Sequence, residues 1–287
     1  MIAITGASGH LGRLVIASLL KRVPANQIVA AVRTPSKAAD LAALGVQVRE
    51  ADYNKPATLN EAFVGATSLL LISSPNVDTD ERFGEHKAVI DAAKDAGVQL
   101  IAYTSVLRAD TSTLLIAPGH LATERYLAAS TIPWVFLRHP SYLENYTGSL
   151  AAVLEQGGIA GSAGDSRNSA VTRADLADAA AIVLATPGHA GKIYELGADV
   201  PFTMAAFAAE LSKQSGKSVV YNNLPQQVYQ TMLESFGLPA KIAQFVADAD
   251  AKARTDDELY TPSRDLSALI GRPTTPIAVA IADALPR

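Results

Sequence analysis

The amino-acid sequence predicts an α/β chain organised on a doubly wound parallel sheet, with a smaller lobe after it. Three observations lead there. The N-terminus passes from an apolar run, Ile2-Ala3-Ile4, through Thr5-Gly6-Ala7-Ser8-Gly9-His10-Leu11-Gly12 into a segment with Leu14, Val15, Leu19 and Leu20 at helical spacing, which reads as strand, tight turn and helix. Short apolar runs then alternate with helical periodicities, the pattern of successive β-α-β units. After Asn145 this alternation breaks down. A first domain is therefore expected over residues 1–150. A smaller, mostly helical α+β lobe is expected over 151–287, covering the substrate, with chain crossings between the two.

Each element has its own warrant. Ile28–Val32 is a second apolar run, and it stops at Arg33-Thr34-Pro35-Ser36-Lys37. Residues 46–51 alternate as a third strand ending in Asp52-Tyr53, and a helix with Leu59, Ala62 and Phe63 follows. Residues 66–72 carry Leu69-Leu70-Leu71, a strand apolar on both faces, and end at Ser73-Ser74-Pro75. Helical periodicity over 82–96 stops at Gly97, and a fifth strand over 98–104 leads into Ser105. Residues 118–130 form a helix with His120 and Glu124 on one face at i and i+4. The sixth strand, 133–137, leads into Arg138-His139-Pro140. The glycine-rich stretch 157–168 reads as an irregular loop or hairpin. Thr172 caps a helix with Asp175 in its first turn. Residues 192–196 form a short strand, 203–214 a helix and 218–221 another strand, and the chain is mostly helical from Pro225 onward.

Composition narrows the function classes. With 49% hydrophobic and 18% charged residues among 287, the chain can bury an extensive core. A formal net charge of -4, without a basic stripe, disfavours nucleic acid. The absence of cysteine removes disulfides, thiolate metal ligands and a catalytic thiol together. No apolar run approaches about 18 residues, and Met1 leads directly into the first strand, so neither a membrane span nor a leader is expected. The expectation is a cytoplasmic protein; a homodimer is left open. No residues have metal-ligand spacing, and no Gly-x-Ser-x-Gly elbow is present.

The glycine turn carries the strongest chemical signal. Unpaired backbone N–H groups at a helix N-terminus favour an anion, and glycines let a pyrophosphate approach, so the turn predicts a dinucleotide site of the Rossmann type formed by Gly6, Ser8, Gly9, Leu11 and Gly12. The spacing is G-x-x-G-x-x-G, and a merely structural turn is the competing reading. His10 either helps to seat the phosphates or is simply exposed at the helix start. At the end of the second strand an acid would hold the ribose hydroxyls, whereas a base accommodates a 2′-phosphate. Arg33 stands there, with Lys37 to assist, so NADP(H) is favoured over NAD(H). Asp52 and Tyr53, Ser73 and Ser74, and Tyr103, Thr104 and Ser105 lie at carboxyl ends of strands, where ligands of such sheets bind.

The segments Ile4 to Gly12, Val32-Arg33, Ala51-Asp52-Tyr53, Ile101 to Ser105 and Leu137-Arg138-His139-Pro140 resemble the atypical extended short-chain dehydrogenase/reductases of the NmrA-like group. Within it, Tyr103-Thr104-Ser105, Arg108 to Ser112 and Tyr142 to Tyr146 look most like the bacterial quinone reductases, with triphenylmethane dye reductases as near relatives. The resemblance spans essentially the whole chain. It implies an NAD(P)H-dependent reductase passing hydride directly to a quinone or other aromatic acceptor, without flavin or metal. In that scheme His139 and Pro140 wall the nicotinamide pocket, Tyr142 and Asn145 point toward the acceptor, and His120 is a proton donor, a ribose contact or a structural residue. One departure stands out: the Tyr-x-x-x-Lys pair of the broader superfamily is missing, and the corresponding helix offers His120 and Glu124 instead. A dinucleotide-binding redox sensor without turnover is therefore the alternative.

Overall fold

The computed structural model describes residues 1–286. In chain order its elements are β1 (Ile2–Ile4), α1 (His10–Leu19), β2 (Ile28–Val32), α2 (Ala39–Ala43), β3 (Gln47–Glu50), α3 (Pro56–Ala62), β4 (Ser68–Leu71), α4 (Thr79–Asp95), β5 (Leu100–Val106), α5 (Ala117–Ala129) and β6 (Trp134–His139). There follow α6 (Glu144–Thr147), α7 (Leu150–Gln156), β7 (Gly158–Gly161), α8 (Arg173–Ala185), β8 (Lys192–Glu195), α9 (Met204–Ser215), β9 (Val220–Asn223), α10 (Gln226–Ser235), α11 (Ala240–Asp256), α12 (Asp265–Ile270) and α13 (Ile277–Ala284).

Seven strands form one sheet in the order β3-β2-β1-β4-β5-β6-β8. Every pair in it is parallel. The order reverses between β1 and β4, the switch point outside which ligands of such sheets bind. One face carries Leu69, Leu71, Ile101, Tyr103 and Phe136 against Leu59 and Phe63 of the α3 region and Val89 and Ile90 of α4. Along α1, Leu11, Val15, Ile16 and Leu19 are buried, and α8 buries Leu176, Ala179, Ala180 and Val183. A hydrogen bond from Ser18 Oγ to Asp178 Oδ1 (2.6 Å) ties these two helices together.

The chain divides into two compact units, each made of three segments. The first comprises residues 1–110, 118–139 and 173–195; the second comprises 111–117, 140–172 and 196–287. The segment from Arg173 to Glu195, expected in the smaller lobe, belongs with the sheet because β8 pairs with β6 and extends it. The stretch 157–168 is not a local hairpin: it contains β7, which pairs in parallel with the distant β9. The core of the second unit gathers Leu143, Leu150, Phe202, Phe207, Leu211 and Ile281. Strand ends shift by one or two residues. Val98, for example, gives its N–H to the carbonyl of Ala93 and closes α4 instead of starting β5.

Candidate functional site

The glycine turn is built as the sequence requires. Thr5 is buried at the end of β1; its hydroxyl donates to the Leu70 carbonyl (3.2 Å) and accepts the Ile72 N–H (3.0 Å), joining the ends of β1 and β4. Gly6 has φ +58°, where a side chain would be strained. Gly9 closes the turn with an N–H to the Gly6 carbonyl at 3.0 Å. A Cβ on Gly12 would lie 2.6 Å from both Ala7 Cα and the Gly6 oxygen, so only glycine lets α1 start this close to the turn. No side chain caps α1 at Gly9. Ser8, Gly9 and His10 are exposed, while Leu11 turns its side chain into the core. The helix start thus offers backbone N–H groups to an anion without a competing side chain.

Arg33, at the end of β2, is exposed and makes no hydrogen bond or ion pair among the described residues. A 3-10 turn over Pro35–Ala38 follows, with Lys37 exposed on it. At the end of β3, Asp52 Oδ1 accepts the Asn54 N–H (3.1 Å) and its other oxygen lies 3.7 Å from Lys55 Nζ. The Tyr53 hydroxyl donates to the Ile72 carbonyl at 3.1 Å, and burial raises its pKa. Tyr53, Asn76, Glu81 and Glu85 line a cavity of about 560 Å³ within the first unit.

Beyond β4 and β5 lies a buried polar network, most of which the sequence did not foretell. The Ser73 N–H donates to Thr104 Oγ1 (2.9 Å) and the Ser74 N–H to His86 Nε2 (2.8 Å). An N–H on Nε2 is thereby excluded, so the neutral His86 ring carries its proton on Nδ1, facing Thr123 Oγ1 at 2.9 Å. Arg82 donates to Ser73 Oγ (2.7 Å) and stands 3.1 Å from His120 Nε2. A guanidinium only donates, so His120 accepts there and turns its Nδ1–H to the Tyr103 oxygen at 2.7 Å. Burial, then the Arg82 charge, holds the His120 pKa well below its ordinary value, and His86 falls to about 3 for the same reasons.

Two of the expected site residues lie inside this network. The Tyr103 ring is wholly buried in the core, and burial raises the phenol pKa. His120 is a neutral imidazole with both nitrogens engaged, the opposite of a ready proton donor. Its i+4 neighbour Glu124 has a separate task, gripping Arg138 through Nε (3.0 Å) and Nη2 (2.7 Å). Arg138 also pairs with Asp110 (2.7 Å) and Glu195 (3.0 Å), fastening β6 to its neighbours. Of the β5 terminus, Ser105 keeps a buried hydroxyl without a partner among the described residues. His139 closes β6, and burial pushes its pKa down to about 3. Pro140, Tyr142 and Asn145 belong to the second unit. There Tyr142 bridges to Val171, and Asn145, at the start of α6, is exposed.

A family described as NAD(P)H-binding matches residues 6–187. The chain belongs to that family. It is 51% identical over 281 residues to quinone oxidoreductase 2 of Escherichia coli strain K12, covering 98% of this chain and 97% of that protein. The crystal structure of the NADPH-dependent quinone oxidoreductase from Escherichia coli complexed with NADPH superposes with a TM-score of 0.95 at 50% identity, covering 99% of both chains. The Citrobacter sp. triphenylmethane reductase complexed with NADP(H) gives a TM-score of 0.95 at 41% identity, covering 99% of this chain and all of that one. The residues of this chain fit such a cofactor: a glycine turn packed too closely against α1 for a Cβ at Gly12, an uncapped helix start, a free arginine after β2 and, near the end of β5, a buried hydroxyl on Ser105 without a partner among the described residues. Among the described residues, no helix is long and apolar enough to cross a membrane, and no group of three or more His, Asp or Glu side chains forms a metal site.

Proposed function

We propose that this protein binds NADPH and passes its hydride directly to a quinone, without flavin or metal. The observation that carries the reading is the 51% identity, over 98% of the chain, to a quinone oxidoreductase. The free Arg33 and the uncapped start of α1 give it a physical footing in this chain. NADPH, when bound, supplies a hydride from its nicotinamide. Gly6, Ser8, Gly9, His10, Leu11 and Gly12 hold the pyrophosphate, Arg33 and Lys37 the 2′-phosphate, and Asp52 and Tyr53 the adenosine side. Ser73, Ser74, Thr104, Ser105, His139 and Pro140 serve the nicotinamide end. Tyr142 and Asn145 orient the acceptor, the tyrosine by stacking on a planar ring. An electrophilic quinone needs no activated phenol, and the reduced product takes its proton from water, since His120 is held neutral. Most of the rate then comes from binding and orientation.

We place the protein in the cytoplasm, acting on small aromatic molecules with no nucleic-acid partner, in keeping with its net charge of -4. The test is loss of NADPH absorbance with a panel of quinones, triphenylmethane dyes and enones. Turnover of quinones supports the reading, and faster turnover of dyes transfers it to the second relative's activity. Tight NADPH binding without turnover of any acceptor would make the protein a sensor.

A further inference from the structure

We propose that Arg13, the residue immediately after the glycine turn, is a positioning residue that sets the preference for a 2′-phosphorylated dinucleotide. It does so by holding the segment after β2 against the turn. The inference rests on the NADPH reading above, and it concerns a residue that does not itself need to touch the cofactor.

The guanidinium of Arg13 reaches three acceptors on two separate pieces of chain. Its Nε donates to the Ser8 carbonyl at 3.0 Å, inside the turn. Its Nη2 donates to the Lys37 carbonyl at 3.0 Å, and its Nη1 pairs with the Asp40 carboxylate, both on the segment that follows Arg33. Only the planar, five-donor fork of arginine satisfies such a set; a lysine ammonium presents one point charge. The Asp40 pair alone decides little, because its side chains are 34% and 61% exposed and surface pairs are weak. The two backbone carbonyls matter more. They fix where the chain lies on both sides of the anion site, whatever the side chains do.

The consequence concerns Arg33. The β2–β3 ladder ends at Val32–Glu50, so Arg33 leaves the sheet on an exposed segment. Within that segment, Lys37 N–H to Thr34 carbonyl (3.0 Å) is a local bond and ties it to nothing else. With Arg13 in place, the backbone bearing Arg33 and Lys37 is ordered before any ligand arrives, and less freedom is lost on binding. An NADH molecule, lacking the 2′-phosphate, gains nothing from that order.

Calorimetric titration of NADPH and NADH into the full-length protein tests this with wild type, Arg13→Ala, Arg13→Lys, Asp40→Asn, Arg33→Ala and the Arg13→Ala/Arg33→Ala double variant. Arg13→Ala is expected to weaken NADPH about tenfold, the size of one charged hydrogen bond's effect, and to leave NADH within about twofold. Arg13→Lys does not restore the NADPH affinity, and Asp40→Asn shifts the ratio in the same direction by less. In the Arg33→Ala background, Arg13→Ala changes NADPH affinity by less than about twofold, because its effect runs through Arg33. Amide hydrogen exchange over residues 34–40 of the cofactor-free protein rises in Arg13→Ala. Equal losses for the two dinucleotides, or an undiminished loss once Arg33 is gone, would overturn the inference. The wild-type preference is a separate readout: a wild type that binds NADH as well as NADPH refutes the cofactor reading itself.

Discussion

Acid should destabilise this protein well before its carboxylates are all protonated, because histidines are buried in the neutral form. Three of the five histidines, His86, His120 and His139, are buried. Burial pushes His86 and His139 down to about 3, and His120 shifts the same way. The folded pKa is depressed below the unfolded value near 6.5, so the stabilisation is complete above about pH 6.5 and is lost as pH falls toward 3. At about pH 5.5 the unfolded chain binds a proton at each such histidine that the folded chain does not, worth on the order of 1 kcal/mol apiece, against little at pH 7. His86 and His139 together therefore remove on the order of 2 kcal/mol between these values. Asp250, raised to about 6 by burial, works oppositely and returns part of that loss. A net loss on the order of 1–2 kcal/mol is a sizeable fraction of a domain stability of about 5–15 kcal/mol. Urea unfolding at the two pH values should show the midpoint falling. His86→Phe should flatten the dependence whatever its own stability. An unchanged midpoint, or a ring of His86 or His139 that titrates near 6.5 by NMR in the folded protein, would refute the reasoning.

Other expectations are more local. Arg33→Ala should cost about 1.5–3 kcal/mol of NADPH affinity, roughly ten- to a hundredfold, with NADH little changed, as measured by titration. Gly12→Ala places a methyl 2.6 Å from backbone atoms, so α1 must move; about 1–3 kcal/mol of stability and most NADPH binding should be lost, as read from urea unfolding and titration. Glu124→Leu leaves Arg138 buried beside only its more exposed partners Asp110 and Glu195 and should lower stability by about 3 kcal/mol. Tyr142→Ala should raise the quinone KM about two- to tenfold, the scale of one lost aromatic stack, with NADPH affinity unaltered.

The sheet from β1 to β6 was legible because its signals are local. A parallel sheet buried on both faces writes each strand as an apolar run, and Ile28–Val32 was readable to the residue. The glycine turn was legible for a steric reason that one residue carries, Gly12. What escaped was non-local pairing. Nothing near Gly158–Gly161 says that its partner is Val220–Asn223, and nothing near residue 173 says that the chain has returned to the sheet through β8. The candidate site divides in the same way. Arg33 could be placed from its position after a strand, but Arg13, Arg82 and His86 act through partners that no spacing rule brings together. For Tyr103 the sequence gives a place near the end of a strand but not the direction of its ring, which strand alternation sends into the core with Leu69 and Leu71.

The network around Tyr103 also bears on the missing Tyr-x-x-x-Lys pair. A phenol that relays protons needs a lowered pKa, a cation beside it and a path outward. Here the phenol is wholly buried and its pKa is raised by burial, and the nearby cation, Arg82, spends its donors on Ser73, His120 and the Asn76 carbonyl. Its charge discourages a second proton on either His86 or His120. The arrangement therefore holds Ser73, Thr104 and the end of β4 in place and keeps ionisable hydrogens fixed, which suits a site that orients an acceptor and leaves the proton to solvent. Alcohol oxidation would need a base where this chain has built a neutral, fully engaged imidazole. Reduction of an already electrophilic ring needs none, so the same buried polar residues that rule against the first chemistry are compatible with the second.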